Sequence, residues 1–359
     1  MLFFLKSKIY SGIFYAVALL FVFTGCSEQE VRFSGKTMGT TYHIKVAVGR
    51  FDNTDALKEK IDRQLDVINR SMSTYRKDSE ISRFNDLNHA GTPFAVSMDF
   101  LQVMIMGKDI HARTKGAWDA TVYPLLKLWG FKDPVLPDSI LKDSILKGSI
   151  SKNSIPEDED IRAALEKTGF DKIEISEEGV LIKNHPDVTL DLASIAKGYG
   201  VDRVAALIEK HGYDRYIVEI GGEIYAAGLR LDGEKWRVGI NTPDKEAASD
   251  TVYQVVSLND HAFATSGDYR NFFEYNGKTY SHIIDPNTGY PVNNRVVSAS
   301  VIADNCTFAD GLATALMVMG PEKGLALING LEDAECLIIV REKDGSLTNH
   351  ASAGFITEK

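Results

Sequence analysis

The chain has 359 residues, of which 44% are hydrophobic and 25% are charged, a balance typical of a folded globular protein with one large or two ordinary domains. Its formal net charge is −10, and the sequence has no dense stripe of Lys and Arg. Both features exclude a nucleic-acid-binding protein, because acidic groups repel a phosphate backbone.

Residues 1–25 are predicted to be a lipoprotein signal peptide. A basic start precedes an apolar run at residues 9–23, which is short for a membrane span but typical of a signal-peptide core. Cys26 then ends a segment that resembles a bacterial lipobox, in which the cysteine is lipidated. An uncleaved N-terminal anchor is the alternative. Both predict an extracytoplasmic, membrane-anchored protein in which residues 26–34 form a tether, and neither says which membrane holds the anchor.

Hydrophobic periodicity predicts the elements of the remaining chain. Alternating apolar residues predict a strand at 41–48, and apolar residues at helical spacing predict helices at 55–72 and 98–113. Later strands are predicted at 172–175, 180–183, 216–227, 235–240, 251–258, 296–303 and 336–341, and later helices at 195–211 and at 310–319, before Gly320-Pro321. Strands that occur in runs predict an α+β fold with largely antiparallel sheets.

A five-residue repeat occupies residues 138–155 and begins with two copies of Asp-Ser-Ile-Leu-Lys. A period of five fits neither a helix nor a strand. We therefore predict a surface insertion at 133–158 that is not catalytic. It interrupts a domain predicted to span 35–345, which a C-terminal tail at 346–359 follows.

Besides Cys26, the predicted mature chain has two cysteines, Cys306 and Cys336. A disulfide between them is one interpretation in an oxidising compartment. Two small buried residues are the other, and the one we favour. The spacing of Cys and His residues does not indicate a zinc site.

A histidine and an acid–hydroxyl pair carry the strongest chemical signal. His282 ends an apolar run just before a Pro-Asn-Thr-Gly turn, and histidine suits proton transfer near neutral pH. Asp310 and Thr314 share one face of a predicted helix, where their oxygens suit a hard cation such as Mg²⁺. Together they indicate metal-assisted chemistry on a phosphate-bearing substrate. A structural histidine, a helix cap and a back-bonded hydroxyl are the alternatives.

Other motifs lie at the ends of predicted elements. Residues 191–202 combine small residues with a helix start, where a ligand could approach the backbone and Lys197 could reach a phosphate. Gly221-Gly222 inside a strand run indicates a bulge or a close backbone approach. Met38 and Tyr75 lie in short loops, and a thioether and a phenol ring together suit a planar aromatic ligand. A solvated lysine and ordinary packing residues are the alternatives.

The number and order of these motifs resemble the ApbE family, the FAD:protein FMN transferases. The resemblance runs from about residue 35 to about residue 340, and a lipoprotein signal is also common in that family. The motifs that carry it are Met38-Gly39-Thr40, Ser73-Thr74-Tyr75, Ala117-Trp118-Asp119, Asp191-Leu192 with Ala196-Lys197-Gly198-Tyr199, Gly221-Gly222, Thr265-Ser266-Gly267-Asp268-Tyr269, Ser281-His282 with Asp285-Pro286 and Gly289, and Ala309-Asp310 with Ala313-Thr314-Ala315.

The resemblance implies a T-fold-like α+β architecture and a role for each matching residue. Met38 and Tyr75 match positions that flank the isoalloxazine ring, and His282 matches the proposed catalytic base. Positions that line the FAD pocket are matched by Ala117, Trp118, Asp119, Asp191, Lys197, His282 and Ile284. Positions that bind one or two Mg²⁺ ions are matched by the side chains of Asp310 and Thr314 and by the backbone carbonyl of Ser194.

The implied reaction moves FMN from FAD to a Thr or Ser hydroxyl of a partner protein and releases AMP. The implied acceptors are subunits of membrane redox complexes, either ion-pumping NADH:quinone or ferredoxin-linked (Nqr/Rnf-like), or other extracytoplasmic flavoproteins. Two alternatives stay open. Water in place of the hydroxyl would give an FAD pyrophosphatase, and a protein that only binds flavin would be a carrier lipoprotein.

Overall fold

The structure, a computed structural model, describes residues 28–132, 155–244, 251–268 and 272–358. The predicted signal peptide, Cys26, most of the repeat insertion and Tyr269 lie outside the described residues. Within them the fold is α+β with antiparallel sheets, as the sequence predicts.

The described residues contain fifteen strands, seven α-helices and one short 3-10 helix at Phe170–Lys172. The strands are β1 (Glu28–Thr37), β2 (Thr40–Gly49), β3 (Phe94–Ala95), β4 (Ile173–Ile175), β5 (Val180–Lys183), β6 (Tyr216–Ile220), β7 (Glu223–Ala227), β8 (Trp236–Asn241), β9 (Val252–Leu258), β10 (His261–Gly267), β11 (Phe272–Tyr275), β12 (Lys278–Ser281), β13 (Val296–Ala303), β14 (Ala334–Arg341) and β15 (Leu347–Ala351). The helices are α1 (Asp55–Met72), α2 (Glu80–Asn85), α3 (Met98–Arg113), α4 (Tyr123–Leu128), α5 (Asp158–Leu165), α6 (Ala196–Lys210) and α7 (Cys306–Ile328).

The main sheet has eight strands in the order β1-β2-β6-β7-β10-β13-β14-β15, and every neighbouring pair is antiparallel. Two of its hairpins turn through two residues with positive φ, Met38-Gly39 between β1 and β2 and Gly221-Gly222 between β6 and β7. The predicted single strand at 216–227 is therefore wrong. The glycines there form a tight turn, because glycine adopts positive φ without steric cost.

Both edges of the main sheet extend the folded domain beyond its predicted boundaries. Residues of the predicted tether form β1, which pairs with β2 from Glu28 to Thr37. Residues of the predicted tail form β15, which pairs with β14. The sequence understates both because an edge strand buries only one face and carries many polar residues.

Helices α1, α6 and α7 pack on one face of the main sheet, and α3 packs against α7 and α1. The largest core cluster fills the space between these elements. A second cluster joins the opposite face to the β8–β9 hairpin. A third, smaller cluster gathers aromatic residues around Trp129 and Phe273, beside the β11–β12 hairpin.

The central helix α7 differs from its prediction at both ends. It begins at Cys306, where the Asn305 side chain accepts a hydrogen bond from the Phe308 N–H. It bends at Gly320, whose φ of 77° is not helical, and a further helical segment follows Pro321. By length and composition α7 could cross a membrane, but half of its apolar stretch is buried inside the protein. Cys306 and Cys336 are buried free thiols, which confirms the favoured interpretation.

Candidate active site

A buried charge cluster lies at the start of α6, where the sequence predicts an anion-binding helix terminus. The Lys197 ammonium is 2.6 Å from Glu223 Oε1 and 3.6 Å from Asp310 Oδ1. The two carboxylate side chains are only 4% and 3% exposed. Lys197 is therefore not a solvated lysine, and its ammonium lies between two buried acids.

Glu223 joins this cluster because of the β6–β7 turn. Gly221 packs so closely that a Cβ there would lie 2.7 Å from the Thr40 side chain. The tight turn directs the first residue of β7 toward α6. Sequence reasoning missed Glu223, although a buried acid directly after two glycines in a strand run was the available signal.

The electrostatics of the cluster favour an additional cation. Burial raises the pKa of Glu223 to about 8, against the opposing effect of Lys197. Burial would lower the pKa of Lys197, but Asp310 and Glu223 outweigh it and the net pKa is raised. Glu223 Oε2 is buried and has no hydrogen-bond partner among the described residues. With both acids ionised beside one lysine, the cluster would carry one excess negative charge, which either a proton on Glu223 or a bound metal ion can offset.

Asp310 and Thr314 each make a side-chain contact with another element of the fold. Asp310 Oδ2 accepts a hydrogen bond of 3.0 Å from the Gly198 N–H. The Thr314 hydroxyl is 3.0 Å from the Ser266 hydroxyl on β10. Asn305 and not Asp310 is therefore the cap of α7, while Asp310 contacts the first turn of α6 and the Thr314 hydroxyl contacts β10.

The predicted metal ligands fit an ion that prefers oxygen. The described residues contain no group of three or more His, Cys, Asp or Glu side chains that could hold a metal. A site here would therefore depend on Asp310 together with hydroxyl and carbonyl oxygens, which are ligands that Mg²⁺ accepts. The Trp118 indole donates a hydrogen bond of 3.0 Å to the Ser194 hydroxyl. That contact fixes the loop whose carbonyl is the third predicted ligand.

Of the two residues predicted to flank the isoalloxazine ring, Met38 lies against α6 at Gly200, and Tyr75 lies beside Lys132, which pairs with Asp191 before α6. Met38 has a φ of 48°, and a Cβ on Gly200 would lie 2.9 Å from its terminal methyl group. Tyr75 is 75% exposed, which is unusual for a large ring and leaves a face open to a ligand. Asp191 precedes α6 and is buried, and its Oδ1 accepts from the Ala193 N–H at 2.8 Å.

The Ala117-Trp118-Asp119 segment is buried, and its acid has a local structural role. Asp119 accepts hydrogen bonds from the backbone N–H groups of Thr121 and Phe170, at 2.7 and 3.0 Å. Burial raises the pKa of Asp119 against the effect of these hydrogen bonds. A cavity of about 400 Å³ adjoins the segment, and it is lined by His111, Lys115, Gly116, Asp119, Leu165, Thr168, Gly169, Asp171, Pro286 and Asn287.

His282 follows β12 directly and is half-buried. The edge of its ring faces Phe131, with 6.3 Å between the ring centres. The predicted turn is present, since the Gly289 N–H donates to the Asp285 carbonyl at 2.8 Å. Ile284 is buried in the aromatic cluster with Trp129. Its side chain therefore anchors the segment that carries His282 to this cluster.

The sequence and the fold were compared with those of known proteins. The model of the ApbE family matches residues 38–338. The chain belongs to the ApbE family. An FAD:protein FMN transferase of Vibrio cholerae is 44% identical over 95% of this chain and 96% of its own length. The enzyme of that name from Escherichia coli K12 is 38% identical over 93% of each chain.

Solved ApbE structures share this fold. The flavin transferase ApbE from Vibrio cholerae superposes with a TM-score of 0.78 at 42% identity, covering 92% of this chain and 99% of that one. The apo flavinyl transferase ApbE of Pseudomonas stutzeri gives 0.78 at 35% identity, covering 91% and 96%. The chain is accordingly a transferase of the ApbE family, and the predicted α+β class is confirmed.

Several predicted site residues meet within this ApbE fold. Lys197 and Asp310 share one cluster, Thr314 lies one helical turn beyond Asp310, and Ser194 lies just before Lys197. The His282 ring packs against Phe131 beside the aromatic cluster, and the side chains of Asp119 and Ile284 have their own buried partners. The individual roles that the resemblance implies stay predictions.

Proposed function

We propose that this chain transfers the FMN part of FAD to a Thr or Ser hydroxyl of an extracytoplasmic acceptor protein and releases AMP. The reaction is proposed to depend on Mg²⁺. Its relatives at 38–44% identity are named FAD:protein FMN transferases over nearly the whole chain. The observation that carries the proposal is the buried Lys197–Glu223–Asp310 cluster at a helix start, which suits a metal-bound pyrophosphate.

Each predicted site residue has a role in the proposed reaction that follows from its chemistry. Lys197, in the first turn of α6, binds a phosphate oxygen through its ammonium, and the positive end of the helix adds to the attraction. Mg²⁺, when bound at Asp310, Thr314 and Ser194, would neutralise the negative charge of the pyrophosphate. Met38 and Tyr75 hold the flavin ring and so fix the direction in which the acceptor approaches.

His282 is the proposed base. A Thr hydroxyl is a poor nucleophile at neutral pH, so a neighbouring group must accept its proton. In the transfer step the acceptor oxygen bonds to the FMN phosphorus, the pyrophosphate bond breaks, and AMP leaves with the electron pair. The hydroxyl proton moves to the His282 imidazole.

The deciding experiment combines the protein from residue 27 onward with FAD, Mg²⁺ and a recombinant acceptor domain of an Nqr- or Rnf-like complex. The expected result is an acceptor whose intact mass rises by one phosphoester-linked FMN, with AMP released in equal amount. AMP and free FMN without a labelled acceptor would identify a pyrophosphatase. FAD that is bound and unchanged would identify a carrier.

The proposed location rests on Cys26 and the signal peptide before it. Lipidation of Cys26 would hold the enzyme on the outer side of a membrane, near acceptor subunits embedded there. The Cys26→Ser variant is expected to leave the membrane fraction, whereas the unaltered protein stays with it after a high-salt wash. Equal membrane retention of both proteins would count against the lipid anchor and favour the uncleaved N-terminal anchor.

A further inference from the structure

A lysine without a predicted role lies between two predicted flavin positions. The Lys132 ammonium is 2.7 Å from Asp191 Oδ2 and 5.3 Å from the centre of the Tyr75 ring. The Lys132 side chain is 14% exposed and the Asp191 side chain 4%. None of the sequence motifs includes Lys132. It nevertheless faces both the buried acid and the open aromatic ring.

The position of this ion pair points to recognition rather than stability. Burial would lower the pKa of Lys132, but Asp191 and then Tyr75 outweigh it, and the net pKa is raised, so the ammonium stays charged. Removing two charges from water costs free energy that a buried ion pair often fails to recover. A charged pair beside an exposed tyrosine face is better explained by a ligand that both charges contact.

The hydrogen-bonding groups that Lys132 and Asp191 leave available indicate which ligand the pair could bind. Asp191 Oδ1 is already used by the Ala193 N–H. Oδ2 faces the ammonium, but no described residue gives it a well-aligned hydrogen bond. The pair therefore presents one acceptor and one donor side by side. A phosphate, which offers only acceptors, would be repelled by Asp191.

The pyrimidine edge of an isoalloxazine ring has the complementary pattern, since its N–H lies between two carbonyl oxygens. We propose that Lys132 donates to one of these carbonyl oxygens while Asp191 accepts from the adjacent N–H, with the ring stacked on Tyr75. This assignment rests on the proposed function, because it takes FAD as the substrate. It makes Lys132 a substrate-binding residue that selects for the flavin end of FAD.

The test compares the binding of FMN and of AMP to the full-length protein in detergent. Charge-assisted hydrogen bonds are the strong ones, so Lys132→Met is expected to weaken FMN binding by about 10- to 100-fold. AMP binding should change by less than about twofold. The long-wavelength absorption band of bound FMN should also shift, because its carbonyl loses a charged donor. Lys132→Arg, which keeps the charge, should retain most of the FMN affinity.

The other outcomes separate this inference from the proposed function. Equal weakening of FMN and AMP, or weakening of AMP alone, would show that Lys132 contacts another part of FAD and would overturn the assignment. The assignment would also be overturned if the wild-type protein transfers FMN and Lys132→Met binds FMN with the wild-type affinity. A folded wild-type protein that binds no flavin would instead remove the proposed function, and this assignment with it. Should Lys132→Met not fold, Lys132→Gln carries the same comparison.

Discussion

Gly198 is the point at which α6 and α7 approach each other most tightly near the charge cluster. A Cβ at this position would lie 2.2 Å from the Cys306 carbonyl oxygen and 2.9 Å from Asp310 Cβ. Ordinary contact begins at 3.4 Å, and the first of these atoms belongs to the backbone. The Gly198→Ala variant must therefore push the two helices apart by about 1 Å, because no flexible side chain can yield.

Two opposing effects set the size of the change in stability. Overpacking costs about 3 kcal/mol at the upper end of its usual range, and alanine in a helix recovers about 1 kcal/mol relative to glycine. The free energy of unfolding should therefore fall by about 2 kcal/mol. For the roughly 300 described residues, the entropy of unfolding is about 0.6 kcal/mol/K, so the thermal midpoint should fall by about 3 °C.

The effect of Gly198→Ala on activity should be larger than its effect on stability. The Gly198 N–H holds Asp310 Oδ2, so separating the helices moves a predicted metal ligand. A displacement of about 1 Å can cost about 100-fold in rate. FMN transfer to an acceptor, followed by intact mass and at saturating FAD, measures this loss beside thermal unfolding of the same sample.

Gly324→Ala is a matched control on the same helix. A Cβ there would lie 2.8 Å from Ile338 Cδ1 and 3.0 Å from Leu316 Cδ2, both at the flexible ends of side chains. The control should keep full activity and lose little stability. If Gly198→Ala instead unfolds at the wild-type temperature and transfers FMN at the wild-type rate, the tight helix contact does not position Asp310.

Three further predictions concern the charge cluster and the base. Asp310→Ala should abolish Mg²⁺-dependent turnover while its circular dichroism spectrum stays native, and full activity would remove Asp310 from the metal site. His282→Ala should still bind FAD but transfer FMN about 10²- to 10⁴-fold more slowly; unchanged transfer would place the base elsewhere. Glu223 has a pKa near 8 when folded, above its ordinary 4.5, so it binds protons more tightly in the folded state. Without metal, its contribution therefore makes the free energy of unfolding fall between about pH 4.5 and 8. Glu223→Gln should remove this pH dependence. If urea unfolding of Glu223→Gln and of the wild-type protein depends on pH in the same way across this range, Glu223 does not have the raised pKa.

Periodicity predicted the helices well because their apolar stripes are long. The predictions at 55–72 and 98–113 match α1 and α3, and 195–211 differs from α6 by one residue at each end. The strands between 261 and 281 were missed. The β11–β12 hairpin is short and buries its aromatic residues in a small separate cluster, so it lacks the alternation of a strand in a large sheet.

The candidate site was predictable where a motif brings its residues together locally. Asp310 and Thr314 share a helix turn, and a sequence shows that spacing directly. Glu223 and Lys132 could not be found in this way. Their partners, Lys197 and Asp191, are distant in the chain and meet them only through the β6–β7 hairpin and the loop before α6.

The length of the β1–β2 hairpin determines how far the Met38-Gly39 turn lies from the proposed lipid anchor. Each strand has ten residues, so about 30 Å separates its open end at Glu28 from the Met38-Gly39 turn. Only Ser27 stands between Glu28 and Cys26 in the sequence. If Cys26 carries the proposed lipid and the hairpin stands upright on the bilayer, the Met38-Gly39 turn would lie about 30 Å above the headgroups. In that arrangement the flavin would meet an acceptor hydroxyl carried on a domain that rises to the same height, and not one held flat against the bilayer.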